Sequence, residues 1–203
     1  MAGFTTADLK SAAVRLAAAG EAMADELNAQ DARLGDGDLG ITIAAGWQAV
    51  ANATGSFSED VGAAFLAAAK EFQRVSSSSF GTLTATAFIA AAKATKGRRE
   101  VPWSEVANLV SAARDAMMAR GKAAIGDKTI LDSLDAIACA VAGADEPRKI
   151  AAAAAGAAEK ALADFQDKPN RIGRARMFSQ SSVGLADPGM LAAARIAAAL
   201  ARQ

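Results

Sequence analysis

The sequence predicts an all-α protein, an antiparallel up-and-down bundle of about eight helices, on three observations. Alanine fills 57 of the 203 positions, tyrosine is absent, and tryptophan occurs only at 47 and 103; small, strong helix formers in this proportion favour helices that approach closely. Apolar residues recur three and four apart, and no stretch alternates as a half-buried strand would. The segments between these runs have the ordinary length of helix connections. A chain of 203 residues suffices for one well-packed domain and is short for two, so residues 1–203 are expected to fold as a single unit.

The first helix is expected to begin after Thr5 or Thr6 and run to about Asn28. Leu9, Ala13, Leu16, Gly20, Met23 and Leu27 form its apolar face, and Lys10, Arg15, Glu21 and Asp25 its polar one. An acidic loop follows, then a helix from Gly40 to Ala53. Ser58 with Asp60 is placed to cap a third helix reaching Val75. The block Ser76-Ser-Ser-Ser-Phe-Gly81 interrupts the pattern, which resumes from Thr82 to Ala94. Pro102-Trp-Ser-Glu105 opens a helix from about Ser104 to Arg120. A loop rich in glycine and charge, residues 121–129, precedes a helix from Ile130 to Ala142. Asp145-Glu-Pro147 separates that from an alanine helix reaching Phe165, and a polar connection leads to a last helix from Met190 to Ala201.

Composition excludes several classes. Twenty-two basic and 22 acidic residues cancel, so no basic surplus supports a nucleic-acid partner. The longest alanine runs are broken by Glu159, Lys160 and Arg195, and none reads as a membrane span. The N-terminus lacks a basic-then-apolar signal, and on that reading the chain is expected in the cytoplasm. Cys139 stands alone in an apolar run and is expected to be a buried structural thiol. The chain has no histidine, which removes the commonest acid/base group and any histidine-based nucleophile or metal site.

The chemistry concentrates in the loops. Asp31-Ala-Arg-Leu-Gly-Asp-Gly-Asp38 places three carboxylates within eight residues, flanked by glycines that allow a tight turn. Short carboxylates with no histidine or cysteine nearby suit a hard cation such as Mg2+. The EF-hand pattern is not met, and the same run also fits a solvated turn between helices. The helix that follows would present an N-terminal dipole and free N–H groups just behind the acidic loop, a setting for phosphates held between metal and helix start. Ser78, Ser79 and the backbone around Gly81 offer further donors, and a serine-rich linker explains that block equally well. Gly126-Asp-Lys-Thr129 is not a phosphate-binding GxxxxGK[ST] loop, although Lys122 or Lys128 could reach a phosphate and Arg174 and Arg176 could add positive charge. Asp187-Pro-Gly189 is a turn and helix start. In an up-and-down bundle alternate connections share an end, so these four loops are expected to converge.

The ordered set Gly35-Asp-Gly-Asp38, Phe80-Gly-Thr-Leu83, Gly121-Lys122, Gly126-Asp-Lys-Thr129, Gly173-Arg-Ala175 and Asp187-Pro-Gly189 resembles the nucleotide-binding L subunit, or DAK2 domain, of dihydroxyacetone kinases. The order and separation of the motifs carry the resemblance over nearly the whole chain. It implies an eight-helix antiparallel barrel with ADP or ATP and two Mg2+ ions at one end. By resemblance Asp31, Asp36 and Asp38 are the metal ligands, and Leu39, Gly40, Ile41, Thr42, Ser79, Phe80, Gly121, Ile130, Arg174, Asp187, Pro188 and Gly189 match positions lining the nucleotide. No catalytic residue separate from the metal site is implied. Two departures stand out. The family usually has histidine after the third aspartate where this chain has Leu39, which removes a polar contact near the phosphates. Phe80 replaces a serine of the usual Gly-x-Ser-Gly.

The resemblance implies a kinase subunit that presents Mg-nucleotide to a small ketose or polyol held by a histidine of a separate K-type subunit or domain. The departures point to a substrate such as a four-carbon sugar. ATP that exchanges freely, and bound ADP rephosphorylated by a phosphotransferase-system protein, are both compatible with these residues. Two other classes fit the same sequence: a non-catalytic nucleotide-binding regulatory subunit that recognises a partner protein, and a plain helical scaffold with an acidic turn.

Overall fold

The computed structural model describes residues 3–76 and 78–202, with only the backbone of Arg174. Among these residues eight α-helices follow one another: α1 (Thr6–Asp31), α2 (Leu39–Ala53), α3 (Val61–Val75), α4 (Ser79–Ala94), α5 (Val106–Gly121), α6 (Ile130–Ala140), α7 (Pro147–Asp164) and α8 (Pro188–Ala201). Each helix packs against the next, and α8 returns to α1, so the succession closes into a ring.

Local chemistry sets the helix starts. Thr5 and Asp8 form a capping box at α1, and Thr129 and Asp132 form one at α6. Asp60 accepts from Gly62 and Ala63 at the start of α3, so it supplies that cap and Ser58 does not. Ser78 accepts from Gly81, and α4 therefore starts at Ser79, three residues before the expected Thr82. Ser78 and Ser79 of the serine block are thus the cap and the first residue of a helix. Pro147 and Pro188 occupy first-turn positions of α7 and α8, where a missing N–H costs nothing.

Small residues let the helices approach as expected. Gly40 on α2 is the tightest case, since a Cβ there would come within 2.0 Å of the Ala24 carbonyl oxygen on α1. The core is divided by position around the ring. Trp47 meets Phe72 and Phe88 edge to face at 5.7 Å, joining α2, α3 and α4. Met23, Leu27, Leu39, Ile43 and Leu191 join α1, α2 and α8. Ile137, Val141, Ile150 and Ala194 join α6, α7 and α8.

Two features were not expected. Gly3–Thr5 (β1) pairs antiparallel with Glu100–Pro102 (β2), Phe4 opposite Val101; three residues are too few to display alternation. Cys139 is exposed, because it falls near the C-terminal end of α6 on the face opposite Ile137 and Ala138. No helix among the described residues is long and apolar enough to cross a membrane.

Candidate functional site

The α1–α2, α3–α4, α5–α6 and α7–α8 connections meet at one end of the ring, where they enclose a cleft of about 210 Å³. Asp31, Asp36 and Asp38 line one side. The start of α4 (Ser78, Ser79, Phe80), the start of α6 (Thr129, Ile130) and the turn Asp187-Pro188-Gly189 complete it. A second cavity of about 400 Å³ continues from it past Ser79, Leu83, Ile130 and Ile172 to Met117, Arg120 and Gly121 at the end of α5. Together the two spaces are of the size that holds small-molecule ligands.

The acidic loop is built by its glycines. Gly37 adopts φ +78°, and a Cβ on Gly35 would lie 2.5 Å from Asp31 Oδ1. The Gly37 and Asp38 N–H groups donate to Asp31 Oδ2 at 2.9 and 3.1 Å, folding the loop back on its first carboxylate. As a result Asp31, Asp36 and Asp38 each offer an oxygen within 4.8 Å of the others. Trans positions around one Mg2+ are separated by roughly 4.2 Å, twice the Mg–O distance. The three oxygens can therefore converge on one ion with small rotations, or share two. Oxygen-only donors with no nitrogen or sulfur suit a hard divalent cation.

The start of α2 differs from expectation. Asn28 Oδ1 accepts from Gly40 N–H at 2.8 Å and from Ile41 N–H at 3.3 Å, so these two groups are engaged and not turned toward a ligand. Asp38 makes no side-chain cap bond to the helix. Gly40 lies against α1, the Ile41 side chain is 62% exposed, and Thr42 donates to Ser78 Oγ at 3.4 Å; none of the three lines the cleft. Gly81 likewise packs behind it, against Ser76. Leu39 borders the cleft, yet its side chain is buried among Met23, Leu27, Ile43 and Leu191, and Phe80 packs on the same cluster. The two departures from the family pattern are thus neighbours in one apolar group.

Lys128 takes a third course, neither solvated nor at a phosphate. It is fully buried, and its ammonium donates to the carbonyls of Gln166, Lys168 and Ser182 at 2.9, 2.7 and 2.9 Å. Burial lowers its pKa, against the attraction of Asp187 and Asp167. Asp187 caps α8 through Met190 N–H at 2.9 Å and accepts from Asn170 Nδ2 at 2.7 Å. Its pKa is pushed up to about 6 by burial, opposed by those two bonds and by Lys128. Asn28 and Asn170 escaped the sequence reading because their partners lie 12 and 17 or more residues away, outside any local motif. Met117, Arg120 and Ile172 escaped it because they sit on helix faces or in loops with no distinguishing pattern. The Arg174 side chain lies outside the described residues.

A closed helical ring with a three-carboxylate cleft at one end is the class this geometry defines. The chain belongs to the DAK2 domain family, whose profile matches residues 33–202. It is 32% identical to the triokinase/FMN cyclase of Bos taurus, over 87% of this chain and 31% of that protein. It is 27% identical, over 80% of each, to the ADP-binding subunit DhaL of the PEP-dependent dihydroxyacetone kinase of Escherichia coli K12. To the L-erythrulose kinase of Pectobacterium atrosepticum it is 32% identical, over 94% of this chain and 35% of that protein. The chain therefore spans about a third of two of these relatives and four fifths of the other. Its fold is that of part of the dihydroxyacetone kinase of C. freundii, with TM-scores of 0.76 for the native form and 0.72 for the complex with AMP-PNP and Mg2+. Each match has 24% identity, covering 99% of this chain and 35% and 34% of those chains.

Proposed function

We propose that residues 1–203 form one nucleotide-binding domain of a kinase. In the cytoplasm it presents Mg-bound ADP or ATP for phosphoryl transfer to a small ketose or polyol held by a K-type subunit or domain. The observation that carries this reading is the convergence of Asp31, Asp36 and Asp38 on one wall of a cleft that continues into a larger apolar cavity. The carboxylates would hold Mg2+, probed as one or two ions, which supplies charge neutralisation and orientation at the phosphate oxygens. The start of α4 provides hydroxyl and N–H groups opposite them, and Leu83, Met117, Ile130 and Ile172 offer an apolar seat for a base. The names of the E. coli subunit and the nucleotide-bound C. freundii enzyme support the nucleotide, and the L-erythrulose kinase supports a four-carbon ketose as acceptor.

Asp36→Asn and Asp38→Asn keep side-chain size while removing charge. Each is expected to weaken Mg2+-dependent ADP binding at least about tenfold, or about 1.4 kcal/mol. Titration calorimetry on the two variants and the parent protein measures this, and an unchanged affinity in both rejects the metal assignment.

A further inference from the structure

The buried group formed by Lys128, Asn170 and Asp187 connects three walls of the cleft that are far apart in sequence. Lys128 immediately precedes Thr129 and Ile130, Asn170 precedes Ile172 and Gly173, and Asp187 precedes Pro188 and Gly189; all six following residues line the cleft. Lys128 and Asn170 are both fully buried. Asn170 Nδ2 donates at once to the Lys128 carbonyl at 2.8 Å and to Asp187 Oδ2 at 2.7 Å, and Asn170 N–H donates to Ser182 Oγ at 2.9 Å. The opposite amide orientation would set an oxygen against two acceptors, so the partners define it.

Two features show a cost borne at this place. Lys128 has φ +61°, a left-handed conformation uncommon for a residue with a Cβ. Asn170 Oδ1 is buried with no hydrogen-bond partner among the described residues, an arrangement that lowers stability relative to a satisfied site. An apolar contact would join the same loops without either cost, but it would not set their separation as these directional bonds do. The lysine also anchors the long α7–α8 connection, since its three acceptors all belong to residues 166–182.

We propose that Lys128 and Asn170 are positioning residues for the nucleotide: they touch no ligand, and they hold the Thr129–Ile130, Ile172–Gly173 and Pro188–Gly189 walls at the spacing that closes on it. The inference rests on the nucleotide reading above. It assigns the network to the walls contributed by α6 and the α7–α8 connection, while the acidic loop is held separately by Asp31 and Asn28.

The test uses the whole chain with Lys128→Met and Asn170→Ala, compared with the parent at a temperature where circular dichroism shows each variant folded. Two quantities are measured: the Kd for ADP at fixed Mn2+, and the Mn2+ concentration that half-saturates the protein at saturating ADP, read by electron paramagnetic resonance. The expected result is ADP binding weakened at least fivefold with the Mn2+ midpoint moved less than twofold. Should Lys128→Met fail to fold, Asn170→Ala carries the test, because it leaves the lysine and its three carbonyls in place. Unchanged ADP affinity in a folded variant overturns the inference, and so does a parallel shift of both quantities, which marks general loosening. Failure of the parent protein itself to bind ADP with Mn2+ overturns the nucleotide reading, and the inference with it.

Discussion

Asp187 shows how burial converts a local cap into a pH-dependent element. Its carboxyl titrates near 6 in the folded protein against 3.8 for an ordinary aspartate, because burial disfavours the charge more than Met190 N–H, Asn170 and Lys128 favour it. A raised folded pKa means that the folded state holds the proton more tightly between these two values. The contribution to stability is fully present below about 4 and is lost as pH rises through about 6, by up to roughly 3 kcal/mol. Asparagine also caps helices well, so Asp187→Asn should keep the start of α8 while abolishing this slope. Urea unfolding of both proteins at pH 4 to 7 is expected to show the parent losing stability relative to the variant as pH rises; a difference independent of pH rejects the assignment. At this scale the sequence was legible where function needs several residues close together in the chain. The three aspartates and their glycines form one local motif. Lys128 was not legible, since nothing near it announces acceptors 38 to 54 residues away.

Among the elements, periodicity and capping residues located all eight helices, but their ends depended on partners across the ring. The start of α4 moved forward because Ser78 is a sufficient cap and Phe80 gains burial against the Leu39 cluster. The start of α2 is the sharper case. Sequence alone suggests a helix end with available donors, whereas Asn28 reaches across from α1 to take two of them at 2.8 and 3.3 Å. That reach depends on Gly40, whose missing side chain lets the α1 and α2 backbones touch. Asn28→Ala is therefore expected to cost about 1–2 kcal/mol, the scale of a lost cap that leaves helix N–H groups without their acceptor. Hydrogen exchange should accelerate selectively at Gly40 and Ile41. Denaturant unfolding indistinguishable from the parent, with unchanged exchange at these amides, would show that water replaces the asparagine without penalty.

For the whole molecule, the cleft assembles from four connections, so filling it should stabilise the ring that brings them together. Mg-ADP at about a hundred times its Kd is expected to add about 2.7 kcal/mol to the unfolding free energy, and a melting temperature indifferent to nucleotide would favour a plain helical scaffold. The same construction leaves the site open. Asp36 and Asp38 are exposed and Asp31 only half-buried, so a phosphate held there would face solvent. Transfer to a sugar hydroxyl in preference to water requires that solvent be excluded at the moment of reaction. The residues of this chain are proposed to supply metal and nucleotide contacts, but the absence of histidine leaves them without the group proposed to hold a ketone. These 203 residues alone should therefore bind Mg-nucleotide and form no sugar phosphate from dihydroxyacetone or a tetrulose, while adding a K-type substrate-binding subunit should restore transfer by covering the acidic end. The assay measures sugar phosphate made by the purified chain with and without that subunit. Robust turnover by the chain alone would place the acceptor site within its own helices, and the 400 Å³ cavity would be the first place to seek it.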